Sequence, residues 1–435
     1  MKLHKSIKRA TTLVLSAFLL IAPFMIFPQA KDYDGTARAN NVCVMNVEYG
    51  EAVFCKNADE KVAPGPSAKI LAAVLAFEHY AGNEEKPVTI TPAALENIYG
   101  GVVINLKAGD TLRAVDLIYA MVVSGASDAA NAIAIDVAGS VTAFTAMMNK
   151  KARELGATST AYANPTGLDS RGAYTTARDT AVIACYARKN QQYMQAANAK
   201  SYKIPESGEF KARTVYTKNA LLANYSSDKY LYSKAEGMAV GFTDEAGRCV
   251  ITSASEKAFS FVCVLMGSTD TADGRMPVYT DAKNLLEWAL GNFALVKISG
   301  TTDIVGELPV TLSKQRNYVT VAAKNDVFAF LPKDTDITKI SRSVTYYEES
   351  LKAPVRRGTE VGEITLSLDG KLLGSSPLIT KLDAERSASL ALGENIKTIM
   401  RSKFFVITIV ALICAAAVFT LGRIFVLMKK SRAKK

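Results

Sequence analysis

Two histidines occur in 435 residues, and His4 lies in a basic leader, so a Ser-His-Asp triad or an imidazole metal site would rest on His79 alone. His79 follows Glu78 near the end of a helical stretch and reads as structural. The isolated pair Gly100-Gly101 reads as a turn rather than a phosphate-binding loop, and neither a metal nor a cofactor is expected. Nucleophilic and acid–base chemistry therefore falls to hydroxyls and amines. Three stretches hold the candidates: Pro66-Ser67-Ala68-Lys69, Gly125-Ala126-Ser127 and Ala239-Val240-Gly241. Ser67 and Lys69 are two residues apart, roughly 200° around a helix, so a regular helix points them to opposite sides. As scaffold alone, Pro66 starts a helix, Lys69 is a solvated side chain, Ser127 caps the helix beginning at Asp128, and Ala239-Val240 are ordinary strand residues.

The elements that position these residues are legible around them. Val42–Val47 and Glu51–Cys55 flank Glu48-Tyr49-Gly50 as a hairpin, and Cys249–Ser253 with Phe259–Leu265 read as a second. Between them lie helical stretches after Pro66, at 113–122, 127–138 and 140–155, and another helix follows the second hairpin at 280–292. Strands at both ends with helices between imply one sheet built from distant parts of the chain, an α/β class with a helical subdomain. From about Lys297 to Leu382 the pattern changes to short strands and turns, with Asp369-Gly370 a strong hairpin signal. This reads as a small all-β domain without a catalytic constellation.

The chain ends speak to location. Residues 1–9 hold Lys2, Lys5, Lys8 and Arg9 without an acid, and an apolar run follows from Thr11 to Phe27, the pattern of an export signal or N-terminal anchor. Phe404 to Gly422 is free of charge and long enough to cross a bilayer core, and the tail after it carries Lys429, Lys430, Arg432, Lys434 and Lys435. A basic tail marks the cytoplasmic side, which places the main domains on the extracytoplasmic face. The net charge of +11 comprises +4 from residues 1–30 and +8 from 401–435, which leaves −1 for the rest. The excess belongs to membrane topology, with the lipid bilayer as partner, and implies no nucleic acid. The expected division is 1–39 export segment, 40–295 α/β domain, 296–382 all-β domain, 383–403 stalk, 404–428 transmembrane helix and 429–435 basic tail.

Cys43 and Cys55 sit symmetrically about Tyr49, and Cys249 and Cys263 about Glu256. In antiparallel hairpins such residues can face each other at bridging distance, so both pairs are disulfide candidates. Small apolar thiols filling strand positions are the alternative.

Taken in order, several segments resemble the serine D-alanyl-D-alanine carboxypeptidases, the low-molecular-mass penicillin-binding proteins of peptidase family S11. The most specific match is Asn164-Pro165-Thr166-Gly167-Leu168-Asp169 followed by Tyr174-Thr175-Thr176-Ala177-Arg178-Asp179. Asn46–Glu60 is similar to the family's opening hairpin, Asp116–Val123 leads to Asp128-Ala129-Ala130, and Gly237-Met238 with Gly241–Gly247 bracket a third motif. The resemblance covers essentially the whole chain. It implies a β-lactamase/D,D-peptidase-like domain, a β domain and a membrane anchor, with peptidoglycan or a cell-wall protein as partner.

It also implies which positions carry chemistry. In the family a serine at a helix start lies three residues before a lysine, on the same helical side, so the amine reaches the hydroxyl proton without a histidine. Here Lys69 matches the lysine and Pro66 stands at the serine position. Proline supplies no nucleophile, and it lacks the backbone N–H that helps form the oxyanion hole. Aligned without a gap, Gly125-Ala126-Ser127 replaces Ser-x-Asn; a one-residue bulge would instead bring Ser124 to the relay position. Ala239-Val240-Gly241 replaces Lys-Thr-Gly, which removes the cation and hydroxyl that hold a substrate carboxylate. Val240, Gly241 and Phe242 remain as the substrate-binding strand positions, and Ser67 is an alternative nucleophile. Losing a nucleophile-and-base unit costs on the order of 10⁶ in rate, about 8 kcal/mol of barrier. Three readings follow: a catalytically impaired homologue that binds, an active carboxypeptidase with an unusual nucleophile, or a structural surface protein.

Overall fold

The structure, a computed structural model, describes residues 33–223, 229–257 and 259–432. Residues 1–32 of the expected export segment (1–39) and the last three residues, 433–435, lie outside the described residues. Two compact units appear, one within Gln29–Ala294 and Pro332–Asp334, the other within Leu295–Leu331 and Thr335–Lys435.

The first unit is built on a five-stranded antiparallel sheet of β1 (Asn41–Asn46), β2 (Ala52–Lys56), β3 (Ala235–Thr243), β4 (Gly247–Glu256) and β5 (Phe259–Ser268), in the order β2-β1-β5-β4-β3. β1 is buried at every position, as a strand covered on both faces must be. Its partner β5 comes from the far end of the domain, with Val44 opposite Cys263. Along β5, Val262, Val264 and Met266 enter the main helical core. The alternate residues, Cys263 among them, face α7 (Pro277–Asn292), whose Asp281 acts on the Cys263 thiol.

The helices fill the chain between β2 and β3. α1 (Ala68–His79) follows a 3₁₀ turn at Gly65–Ser67 and is buried on nearly all sides, its alanines letting neighbours approach closely. α2 (Ala114–Tyr119) runs into a π turn at Ala120–Ser124, which Gly125 ends at φ 80. α3 (Ser127–Ala138) ends at Gly139, also at φ 80, where a left-handed residue closes the helix. α4 (Val141–Glu154) and α5 (Ala177–Arg188) are capped by the hydroxyls of Ser140 and Thr176, and α6 (Gln191–Ala197) by Asn190.

The register decides the cysteine pairs. Cys43 lies directly opposite Cys55, the sulfurs 3.9 Å apart as free thiols. Cys249 and Cys263 do not oppose each other. Thr252 faces Cys263, while the Cys249 thiol donates to the Ala246 carbonyl at 3.4 Å. The β4–β5 turn is centred beyond Glu256, with Ser255 paired to Ser260, and a bulge follows Arg248, so sequence symmetry about Glu256 mislocates the partner.

In the second unit, β6 (Phe293–Ser299) pairs with β9 (Val327–Pro332). The other strands are β7 (Ile304–Thr311), β8 (Tyr318–Ala323), β10 (Ser341–Tyr346), β11 (Leu351–Lys352), β12 (Glu360–Leu368) and β13 (Lys371–Thr380), ordered β10-β12-β13-β8-β7-β11. Asp369 and Gly370 take φ 50 and 81 between β12 and β13, the primed turn expected of Asp-Gly. α8 (Ala388–Arg401) leads through Ser402 into α9 (Lys403–Arg432). Lys403–Ile424 is apolar and long enough to span a bilayer.

Candidate active-site cleft

The specific sequence segment at Asn164–Asp169 is a loop organised by one amide. The Asn164 Oδ1 accepts from the Gly167 N–H and the Thr166 hydroxyl, both at 2.8 Å, and its Nδ2 donates to the Leu168 carbonyl at 3.0 Å. Gly167 has φ +69, and a β-carbon there would fall 1.8 Å from the Gly65 carbonyl oxygen, so only glycine lets the two backbones meet. The loop then ties to β3: the Asp169 carboxylate accepts from the Thr243 hydroxyl at 2.6 Å and the Glu245 N–H at 3.0 Å.

This loop, the turn before α1, the α2–α3 junction and β3 enclose a cleft of about 270 Å³. Pro66, Lys69, Gly125, Ser127, Ala239, Val240, Gly241 and Phe242 all line it, so the three sequence stretches converge. Pro66 lies in the 3₁₀ turn, and a β-carbon on Gly241 would begin 3.2 Å from the Pro66 β-carbon. The site therefore presents a ring, with neither hydroxyl nor N–H, where β3 packs against the helix start.

Ser67 does not line the cleft. It is buried, and its hydroxyl donates to the Pro64 carbonyl at 2.7 Å. The angular separation from Lys69 read in the sequence is thus realised, and Ser67 does not face a ligand in the cleft.

Lys69, taken by the scaffold reading as solvated, is instead enclosed. Its amine donates to the Thr166 carbonyl, the oxygen presented by the Asn164 loop. Burial, and secondarily the charge of Lys218, lower its pKa to about 8. Lys69, Lys218 and Arg248 line the cleft, and no Asp or Glu is among its described lining residues. Arg248 is neutralised by Asp270, with bonds of 2.6 and 2.5 Å.

At the α2–α3 junction the π turn accommodates one more residue than an α turn would. Ser124, the last residue of that turn, lines the cleft beside Gly125. Its hydroxyl is engaged with the Ala120 carbonyl at 2.8 Å. Ser127 is not the expected cap but the first helical residue, and its buried hydroxyl has no partner among the described residues. The next residue, Asp128, is buried and holds the 98–106 segment through the N–H groups of Ile104 and Leu106.

β3 is set by α6. A β-carbon on Gly237 would lie 2.0 Å from the Ala197 carbonyl oxygen, the Gly237 N–H donates to Asn198 at 2.8 Å, and the Tyr193 hydroxyl donates to the Met238 carbonyl at 3.0 Å. Sequence reasoning missed these supports, and also Lys218 and Asn219, which enter from a loop. The Asn219 Nδ2 is buried without a partner among the described residues, while its Oδ1 accepts from Leu221. No spacing rule marks such a loop contribution.

Comparison with known proteins settles the family. The D-alanyl-D-alanine carboxypeptidase model of peptidase family S11 matches residues 28–270, more than half the chain. The chain belongs to peptidase family S11. A model of the C-terminal domain of penicillin-binding protein 5 matches residues 293–386. Among S11 relatives, the D-alanyl-D-alanine carboxypeptidase DacF of Bacillus subtilis is 24% identical over 80% of this chain and 86% of its own length. The D-alanyl-D-alanine carboxypeptidase DacC of Escherichia coli is 26% identical over 85% and 90%. The crystal structure of penicillin-binding protein 5 from Haemophilus influenzae superposes with a TM-score of 0.60 at 25% identity, over 81% of this chain and 99% of that one. The S11 fold, an α/β penicillin-binding domain followed by a β domain, is thereby that of this chain.

Proposed function

We propose that this S11 protein is a membrane-anchored, catalytically impaired homologue that serves peptidoglycan metabolism by binding a wall fragment or wall protein rather than by hydrolysis. One observation carries the reading: Pro66 occupies the cleft where β3 meets the helix start, so the family's nucleophile and one oxyanion donor are both missing at the point of attack. The cleft nonetheless retains a volume, a desolvated amine and two buried polar groups without partners among the described residues, Ser127 Oγ and Asn219 Nδ2. Arg248 is paired with Asp270, but no Asp or Glu is among the described lining residues, so Lys69 and Lys218 suit an anionic, acceptor-rich ligand such as a peptide carboxylate. Anchoring rests on the apolar stretch Lys403–Ile424 and the basic residues after it.

The test is peptide mapping of the purified full chain after exposure to a fluorescent penicillin, alongside a D-alanine release assay on a pentapeptide. The expected result is no adduct on any serine, no release at an ordinary enzymatic rate, and saturable binding of wall fragments. An adduct on Ser124 or Ser67, or ordinary turnover, overturns the proposal. Absence of both turnover and binding favours a purely structural role.

A further inference from the structure

We propose that Cys55 and Cys43 form a reactive dithiol site that exchanges with disulfides, Cys55 as the attacking sulfur and Cys43 as the resolving one. The site lies on the first hairpin and uses nothing of the cleft.

Three observations carry it. The two residues are directly opposed across antiparallel strands, a placement whose Cα separation of about 4.5–5.5 Å falls within the range a disulfide bridges. Their sulfurs are 3.9 Å apart and hydrogen-bonded. Access is also asymmetric, because Cys55 is exposed on β2, an edge strand, whereas Cys43 is fully buried on β1. Of the two, Cys55 is the one an external disulfide can meet, and Cys43, directly opposite, is placed to complete the exchange.

The surroundings favour that order. Arg178 of α5 faces the pair, held by Asp59 through bonds of 2.7 and 3.0 Å, and Cys185 of the same helix lies behind. The hydrogen bond with Cys43, reinforced by the Arg178 charge, lowers the Cys55 pKa to about 7, although burial and Asp59 oppose it. The Cys43 thiol is pushed well up by the same hydrogen bond and by burial. A thiol near neutral pKa is the effective attacker in exchange. By contrast, burial pushes Cys185 and Cys249 up to about 12.

The chemistry balances. The Cys55 thiolate attacks one sulfur of an external disulfide, forming a mixed disulfide and expelling one thiolate. Cys43 passes its proton to that thiolate and attacks the Cys55 sulfur, expelling the second. The protein loses two hydrogens as one disulfide forms, and the external disulfide is reduced to two thiols.

No Lys or Arg lies between Ala39 and Lys56, so one tryptic peptide carries both cysteines. The full chain in detergent is equilibrated with oxidised and reduced glutathione at graded ratios, acid-quenched, alkylated and mapped by mass spectrometry. The expected result is progressive, reversible loss of two hydrogens from this peptide. C43S should trap glutathione on Cys55, and C55S should leave Cys43 unmodified. Alkylation of both cysteines at every ratio, or a mixed disulfide on Cys55 that persists in the unsubstituted chain, overturns the proposal. C55S, at an exposed position, keeps the test valid if C43S fails to fold.

Discussion

The β-carbon of Pro66 lies 3.2 Å from where a side chain on Gly241 would begin, so the helix start and the edge strand β3 meet through a ring on one side and no side chain on the other. P66S replaces that ring with a hydroxyl and restores the N–H. Slow covalent labelling by penicillin is expected in P66S, and adding A239K and V240T should raise its rate by about 10² or more, in line with restoring groups aimed at a substrate carboxylate and oxyanion. A folded triple variant that stays unlabelled would overturn the role proposed for Pro66.

The contact between Gly167 and Gly65 is tighter still. G167A places a methyl within 1.8 Å of a carbonyl oxygen at φ +69, where no flexible side chain can yield. A loss of about 3 kcal/mol or more is expected from combined strain and overpacking. Trp288, the only tryptophan, packs against Tyr33 and Phe293 in the same unit and reports its unfolding by fluorescence. A change below about 1 kcal/mol in urea would remove the close approach from the account.

Lys69 makes stability depend on pH with a definite sign. Its folded pKa of about 8 lies below the ordinary lysine value of 10.5, so between those values the unfolded state binds more protons. Stability therefore rises with pH across that window, by up to about 3 kcal/mol, and the penalty is fully present below it. K69M should abolish the rise. The comparison is urea unfolding of the two proteins at the two ends of the window, and parallel pH profiles would refute the desolvated amine.

The apolar span is tested at its middle. I413R puts a guanidinium at the centre of Lys403–Ile424 and should cost about 2.5–3.5 kcal/mol of insertion. The measured quantity is the fraction of chain resisting carbonate extraction from membranes. No change on substitution would mean that this helix does not hold the chain in the bilayer.

Much of this was legible in the residues. Asn164–Asp169 marked the site because its glycine and amide answer to local backbone demands that a sequence displays directly, and Asp369-Gly370 marked its hairpin for the same reason. Ser127 was misread as a cap because capping rules count residues from an ideal helix, and the π turn before it shifts where α3 begins. The Cys249 partner was misassigned because hairpin symmetry assumes a turn centre and no bulge, and both were displaced.

The order of chemical types along the chain determined the family, the missing hydroxyl and cation, and the apolar end, since each is a property of a residue or of a short run. Tertiary structure alone decided that Ser67 turns away, that Lys69 is desolvated and that Lys218 and Asn219 join the cleft. Burial and electrostatic neighbourhood are set by segments distant in sequence, and no local pattern encodes which of them will meet.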